Sequence, residues 1–125
     1  MKETFSAIGI DETLTASLAR MDITQPTAIQ QQAIPLALAG RDIIGRSATG
    51  TGKTLAYLLP LIAKIDATKR ENQAIILAPT YELVIQIQRQ LELLLAGLPV
   101  IAVPLIGNAN ITRQIDKLKE KPHIL

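Results

Sequence analysis

SATGTGKTLAYLLP, residues 47–60, decides how this chain is read. Gly50 and Gly52 bracket Thr51, and Lys53, Thr54 and an apolar helical pattern follow. Glycine enters backbone conformations that L-residues avoid, so such a turn can aim successive N–H groups at one point. A helix starting there adds the partial positive charge of its N-terminus, which favours an anion. The pattern is Gly, four residues, Gly-Lys-Ser/Thr, with Ser47 in the first place. In this pattern the loop Thr49, Gly50, Thr51, Gly52 cradles phosphates. Lys53 then reaches the β- and γ-phosphates, and the Thr54 hydroxyl is a Mg²⁺ ligand. A Gly-rich turn with a solvated lysine is the bland alternative. The strand pattern before the turn and the helix pattern after it argue against that alternative.

The surrounding pattern alternates. RDIIGRS, 41–47, reads as a short strand. Leu55, Leu58, Leu59 and Ile62 then share one helical face, with Pro60 near its far end. AIILAP, 74–79, has strand length and the continuous apolar character of a strand buried on both faces. Leu83, Val84, Ile87, Leu91, Leu94 and Leu95 make the next amphipathic helix. VIAVPLI, 100–106, reads as a strand that Pro104 pushes to an edge or irregular position. Asn110 is placed to cap a last helix with Ile111, Ile115 and Leu118 inward, and HIL begins something apolar. Upstream, Asp11 caps a helix with Leu14, Leu18 and Met21 on one face. Thr27 to Leu38 looks helical, interrupted or kinked at Pro35. Such alternation predicts an α/β fold: a mostly parallel sheet, right-handed crossovers and helices on both faces.

Composition narrows the classes. With 125 residues and 48% hydrophobic character the chain can bury a core, read here as one unit without repeats or linkers. Aromatics are only 2%, so the core must be aliphatic. The absence of cysteine excludes disulfides and thiolate metal sites and fits a reducing cytosol, so a cytoplasmic location is expected. The 13 basic and 11 acidic residues are well mixed, with no basic arm. No signal peptide is expected from MKETFSAIGIDETL. The uncharged run at 93–112 is broken by Gly97, Pro99, Pro104 and Gly107, so no membrane span is expected. His123 reads as a surface or strand-start residue rather than a ligand. Lys117, Lys119 and Lys121 read as a solvated helix face.

Holding phosphate is not hydrolysing it. P-loop enzymes place a second carboxylate near Mg²⁺, commonly at the end of a neighbouring strand. No apolar run here ends in Asp. Asp42 precedes its strand, and Glu82 and Asp116 fall in helices.

ITQPTAIQ, 23–30, leaves two readings open. Thr27 and Gln30 have capping-box spacing. Alternatively, the Gln30 amide pairs with the N6 and N7 edge of adenine.

Together these residues, from Phe5 through ITQPTAIQQQAIP, GRDIIGRSATGTGKTLAYLLP, QAIILAPTYELVIQI and LIGN to KPHIL, resemble the N-terminal RecA-like domain of DEAD-box ATP-dependent RNA helicases. The resemblance runs from Phe5 to Leu125. It implies that Gln30 recognises adenine, that Gln25 belongs to the same nucleotide site, that Phe5 stacks on the ring or else simply joins the core, and that Pro26 and Thr27 shape the connecting turn. The cofactors implied are ATP or ADP and Mg²⁺, with Mg²⁺ held through Thr54 and the nucleotide. The second conserved segment of the family matches PTYELV, so Pro79, Thr80 and Tyr81 are implied to contact RNA, along with Gly107 and Asn108 where the family has a Gly-Gly pair. RNA is the implied partner, and a monomer is expected.

Two of the four departures fall on the RNA side. Tyr81 stands where the family usually has Arg, Asn108 where it has Gly, Asp22 where Gly is common, and Ser47 where Ala is common. The reading expects residues 1–125 to be a partial first domain, with 1–38 as a helical lead-in. The carboxylate box that names the family is expected beyond Leu125, so this piece alone is not expected to hydrolyse ATP. A non-hydrolysing adenine-nucleotide module and a small-molecule P-loop kinase are the alternatives.

Overall fold

The computed structural model describes residues 3–125. They fall into two compact units, one within Met1–Lys64 and the other Ile65–Leu125.

The first unit is helical around its P-loop segment. Helix α1, Glu12–Arg20, starts where the Asp11 carboxylate accepts from Leu14 N at 2.9 Å. It buries Leu14 and Leu18, while Met21 stands at its C-cap and is half-exposed. Helix α2, Ala28–Leu38, runs through Pro35 without interruption. Proline removes one intrahelical donor, but neighbouring turns tolerate the gap when the helix is held by packing. Here the packing is against helix α3, Lys53–Ala63, which itself contains Pro60. Ala33 and Ile34 of α2 and Leu55, Leu58, Leu59 and Ile62 of α3 are buried, joined in the core by Phe5, Ile8 and Ile10. The expected 1–38 lead-in thus lies in the same unit as the P-loop. The expected strand at 41–47 has no ladder partner among the described residues, and Ile44 is fully exposed.

The second unit is built on parallel pairing. Ile124 bridges Ala74 on one side and Ala102 on the other, both in parallel sense. Ile76 N donates to Leu125 O at 2.7 Å and Val103 N to Ile124 O at 3.0 Å, so 123–125 lies between the other two segments. Helix α4, Tyr81–Leu95, buries Ile87, Leu91, Leu94 and Leu95, the face that its spacing anticipates. AIILAP does not read out as expected: Ile75 and Leu77 are 67% and 91% exposed. They are two residues apart and so share one face, which no described element of this unit covers.

Helix α5, Ile111–Lys119, is capped as expected, with Asn110 Oδ1 accepting from Arg113 N at 3.0 Å. Its apolar stripe is not inward, however. Ile111 and Ile115 are 69% and 47% exposed, and no residue of the helix is buried. His123 is also not at the surface. It is fully buried, with Nδ1 accepting from Ile101 N at 3.0 Å and Nε2 facing Ala67 O at 3.3 Å. An acceptor Nδ1 carries no proton, so the ring is the Nε2–H tautomer donating to Ala67. Among the described residues, no helix is long and apolar enough to cross a membrane.

Candidate nucleotide site

The loop before α3 is held by hydroxyls. Gly50 has φ +80°, the value that the third residue of a type II turn requires. In that turn, 48–51, a side chain also bonds the first carbonyl: Thr51 Oγ1 donates to Ala48 O at 2.6 Å. Ser47 Oγ lies 2.6 Å from Thr51 Oγ1. Gly52 is the N-cap of α3 with φ +89°, and the first bond of the helix is Ala56 N to Gly52 O at 3.2 Å. Among the described residues, none of the N–H groups of residues 50 and 52–55 donates to a protein acceptor. Three of these donors belong to the first turn of a helix, where such groups are intrinsically unpaired.

Lys53 is exposed and Thr54 half-exposed at this end of α3. Partial burial raises the Tyr57 phenol above its ordinary value, and a hydrogen bond with the Thr54 hydroxyl, one helical turn away, draws it part of the way back. Sequence reading missed Tyr57. Its three-residue spacing from Thr54 on a helix was the available signal.

Gln30 joins this loop to α2. Its Oε1 accepts from Thr27 N at 2.9 Å, the capping half of the two readings left open. Its Nε2 donates to Gly52 O at 3.1 Å. The side chain is 2% exposed. A carboxamide has two N–H donors and two acceptor lone pairs, so one of each is engaged and one of each is spare. A Cβ at Gly52 would overlap Gln30 Nε2 and come within 2.9 Å of Thr27 Oγ1. The structure therefore brings Thr27, Gln30 and Gly52 together. Gln25 is exposed beside the buried Pro26. Phe5 is 1% exposed and sits in the core of this unit.

In the second unit, Pro79, Thr80, Tyr81, Gly107 and Asn108 are all exposed. Thr80 Oγ1 accepts from Leu83 N at 3.2 Å and so caps α4. Asn108 has φ +61° and Asp22 has φ +59°, the left-handed region that favours glycine. Both departures from Gly thus keep the glycine conformation. Among the described residues there is no cluster of three or more His, Cys, Asp or Glu that could hold a metal.

The loop thus leads into a helix whose first-turn N–H groups have no protein acceptor among the described residues and whose first residue is Lys53. The chain belongs to the DEAD/DEAH box helicase family, whose model matches residues 27–125. It is 50% identical over 99 residues to the DEAD-box ATP-dependent RNA helicase CshC of Bacillus cereus, covering 79% of this chain and 25% of that protein. It is 45% identical over 121 residues to the ATP-dependent RNA helicase CshA of Listeria monocytogenes, covering 97% of this chain and 23% of that one. Its fold is similar to the crystal structure of a DEAD box protein from Methanococcus jannaschii, with TM-score 0.90 and 28% identity, covering 100% of this chain and 35% of that chain. The RNA-helicase Prp28 from Chaetomium thermophilum bound to ADP is also similar, with TM-score 0.87 and 36% identity, covering 98% and 31%. The chain spans about a quarter of the length of the curated relatives it matches.

Proposed function

We propose that this chain is the ATP-binding portion of a DEAD-box RNA helicase, a cytoplasmic protein that remodels RNA duplexes with ATP and acts as a monomer. The observation that carries the reading is the set of unpaired donors at residues 50 and 52–55, at the start of a helix that opens on Lys53. These N–H groups suit the oxygens of a diphosphate or triphosphate, and Lys53 adds a mobile positive charge. When bound, the nucleotide supplies a transferable γ-phosphoryl group and Mg²⁺ offsets its charge. Thr54 is the residue that would hold Mg²⁺, through its hydroxyl.

Gln30 selects adenine with its spare N–H and its spare lone pair, while its engaged pair keeps Thr27 and Gly52 in place. Base pairing of this kind requires local uncovering of a side chain now 2% exposed. Stacking by Phe5 likewise requires its ring to leave the core. On the RNA side, the reading assigns backbone contact to Pro79, Thr80, Tyr81, Gly107 and Asn108. The Tyr81 hydroxyl donates one hydrogen bond where a guanidinium would form a charged pair. The parallel bridges of Ile124 support the parallel part of the proposed RecA-like sheet.

Displacement of a fluorescent ADP by ADP·Mg and by GDP·Mg tests the reading, with Lys53→Ala and Gln30→Ala alongside the unchanged chain. ADP is expected to displace at lower concentration than GDP. Lys53→Ala is expected to weaken both, and Gln30→Ala to erase the difference. Equal displacement by ADP and GDP that Gln30→Ala leaves untouched favours a small-molecule P-loop kinase instead.

A further inference from the structure

The hydroxyl of Ser47 has a direction. Ala48 O has no proton, so Thr51 must spend its single hydroxyl proton on that carbonyl. Thr51 Oγ1 is then an acceptor toward Ser47, and Ser47 must be the donor across the 2.6 Å contact. The result is a one-way relay, from the Ser47 hydroxyl to the Thr51 hydroxyl to the Ala48 carbonyl. It spans the turn that Gly50 makes at φ +80°.

A turn of this type is ordinarily closed by its own backbone N–H. Here the Thr51 hydroxyl bonds the same Ala48 carbonyl that the turn's own N–H faces, and the N–H groups of residues 50 and 52–55 have no protein acceptor among the described residues. The loop is thus fixed without using the donors that an anion would need. Order present before binding need not be created on binding, which is the general origin of affinity from preorganisation. Alanine at position 47 removes the first donor of the relay and leaves the Thr51 oxygen with one partner fewer.

We propose that Ser47 is a positioning residue for phosphate: its hydroxyl, acting through Thr51, holds the loop in the shape that keeps the N–H groups of residues 50 and 52–55 free. The proposal rests on the nucleotide-binding reading given above. Ser47 itself makes no contact with the ligand in this account. Its effect is therefore confined to the phosphate end and is blind to the base.

The test is titration of fluorescent ADP, with displacement by ADP, GDP and inorganic pyrophosphate, on the unchanged chain, Ser47→Ala and Ser47→Thr. Thermal unfolding without ligand accompanies each. Loss of one neutral hydrogen bond predicts affinities about three- to tenfold weaker in Ser47→Ala. The factor is expected to be the same for ADP, GDP and pyrophosphate, with the ligand-free unfolding midpoint unchanged. Ser47→Thr keeps a hydroxyl and is expected to restore binding. Unchanged affinity in Ser47→Ala overturns the proposal while leaving the nucleotide site standing. A loss that follows a lowered unfolding midpoint, or that depends on the base, overturns it too. If the unchanged chain binds none of the three ligands, the nucleotide reading fails and this proposal fails with it.

Discussion

The Gln30 side chain donates to the Gly52 carbonyl at 3.1 Å, tying the first turn of α2 to the N-cap of α3 across 22 residues of sequence. The same amide accepts from Thr27 N, so one buried side chain satisfies two backbone groups on two elements. Removal of one partner of a buried hydrogen bond leaves the other unsatisfied, which costs more than the bond itself contributes.

Gln30→Ala is therefore expected to destabilise the chain by about 2–4 kcal/mol, from two orphaned backbone groups and a small cavity. Urea unfolding followed by circular dichroism measures it. A loss below about 0.5 kcal/mol means that water replaces both bonds, and that the amide is not a structural tie.

Gly52→Ala meets two obstacles at once. Its φ of +89° is strained for an L-residue, and the new Cβ would overlap Gln30 Nε2. The backbone conformation alone costs roughly 1–2 kcal/mol, with repacking of Gln30 added to it. Loss of nucleotide affinity is expected to accompany the loss of stability. A variant with native stability and a native ADP titration curve contradicts this account.

Among the described residues, three other than glycine sit at positive φ: Asp22 at +59°, Asn108 at +61° and Lys121 at +54°. Asp and Asn tolerate this region better than Lys, whose side chain has no local hydrogen bond to offer. Lys121→Gly is expected to raise stability by about 0.5–1 kcal/mol, and Asn108→Gly by only a few tenths. The ranking is the checkable part: thermal midpoints in which Asn108→Gly gains more than Lys121→Gly count against it.

His123→Phe keeps the ring but leaves Ile101 N–H without its acceptor inside the protein. A buried unsatisfied donor predicts a loss of about 1–3 kcal/mol. Amide hydrogen exchange at Ile101 should quicken more than at Leu91 in α4. Uniform quickening across the unit argues for a general packing defect instead.

The Asp66 carboxylate accepts from the Thr68 hydroxyl at 2.6 Å and from Thr68 N at 3.0 Å, and these bonds hold its pKa below the ordinary carboxylate value. A folded-state pKa below the unfolded one stabilises the fold above the unfolded pKa, and this contribution is lost as pH falls through the folded pKa. Thr68→Val deletes the larger of the two bonds. It should move the Asp66 titration upward, read from carboxyl chemical shifts against pH. An unmoved titration assigns the shift to the backbone N–H alone.

Local rules made much of this protein legible. The caps at Asp11, Thr80 and Asn110 each bond a backbone N–H three residues on, a reach set by helix geometry rather than by the rest of the fold. Asp11 and Asn110 were read as caps, while Thr80 was read only as an RNA contact. The P-loop was legible because its chemistry lies in consecutive residues. Gln30 was half legible: its bond to Thr27 follows from spacing, and its bond to Gly52 does not.

The sequence by itself determined where the helices begin, which residues form the phosphate loop and which family the chain resembles. The helix starts and the loop are encoded over three to eight neighbouring positions, and the resemblance over several such segments in order. Only the tertiary structure decided that Phe5 and His123 are buried, that the Ile111 and Ile115 stripe lies exposed, and that α2 continues through Pro35. An apolar stripe states that a face can be covered, and a proline states that a donor is missing. Whether the face is covered, and whether the gap is tolerated, depends on partners distant in sequence, and periodicity carries no record of them.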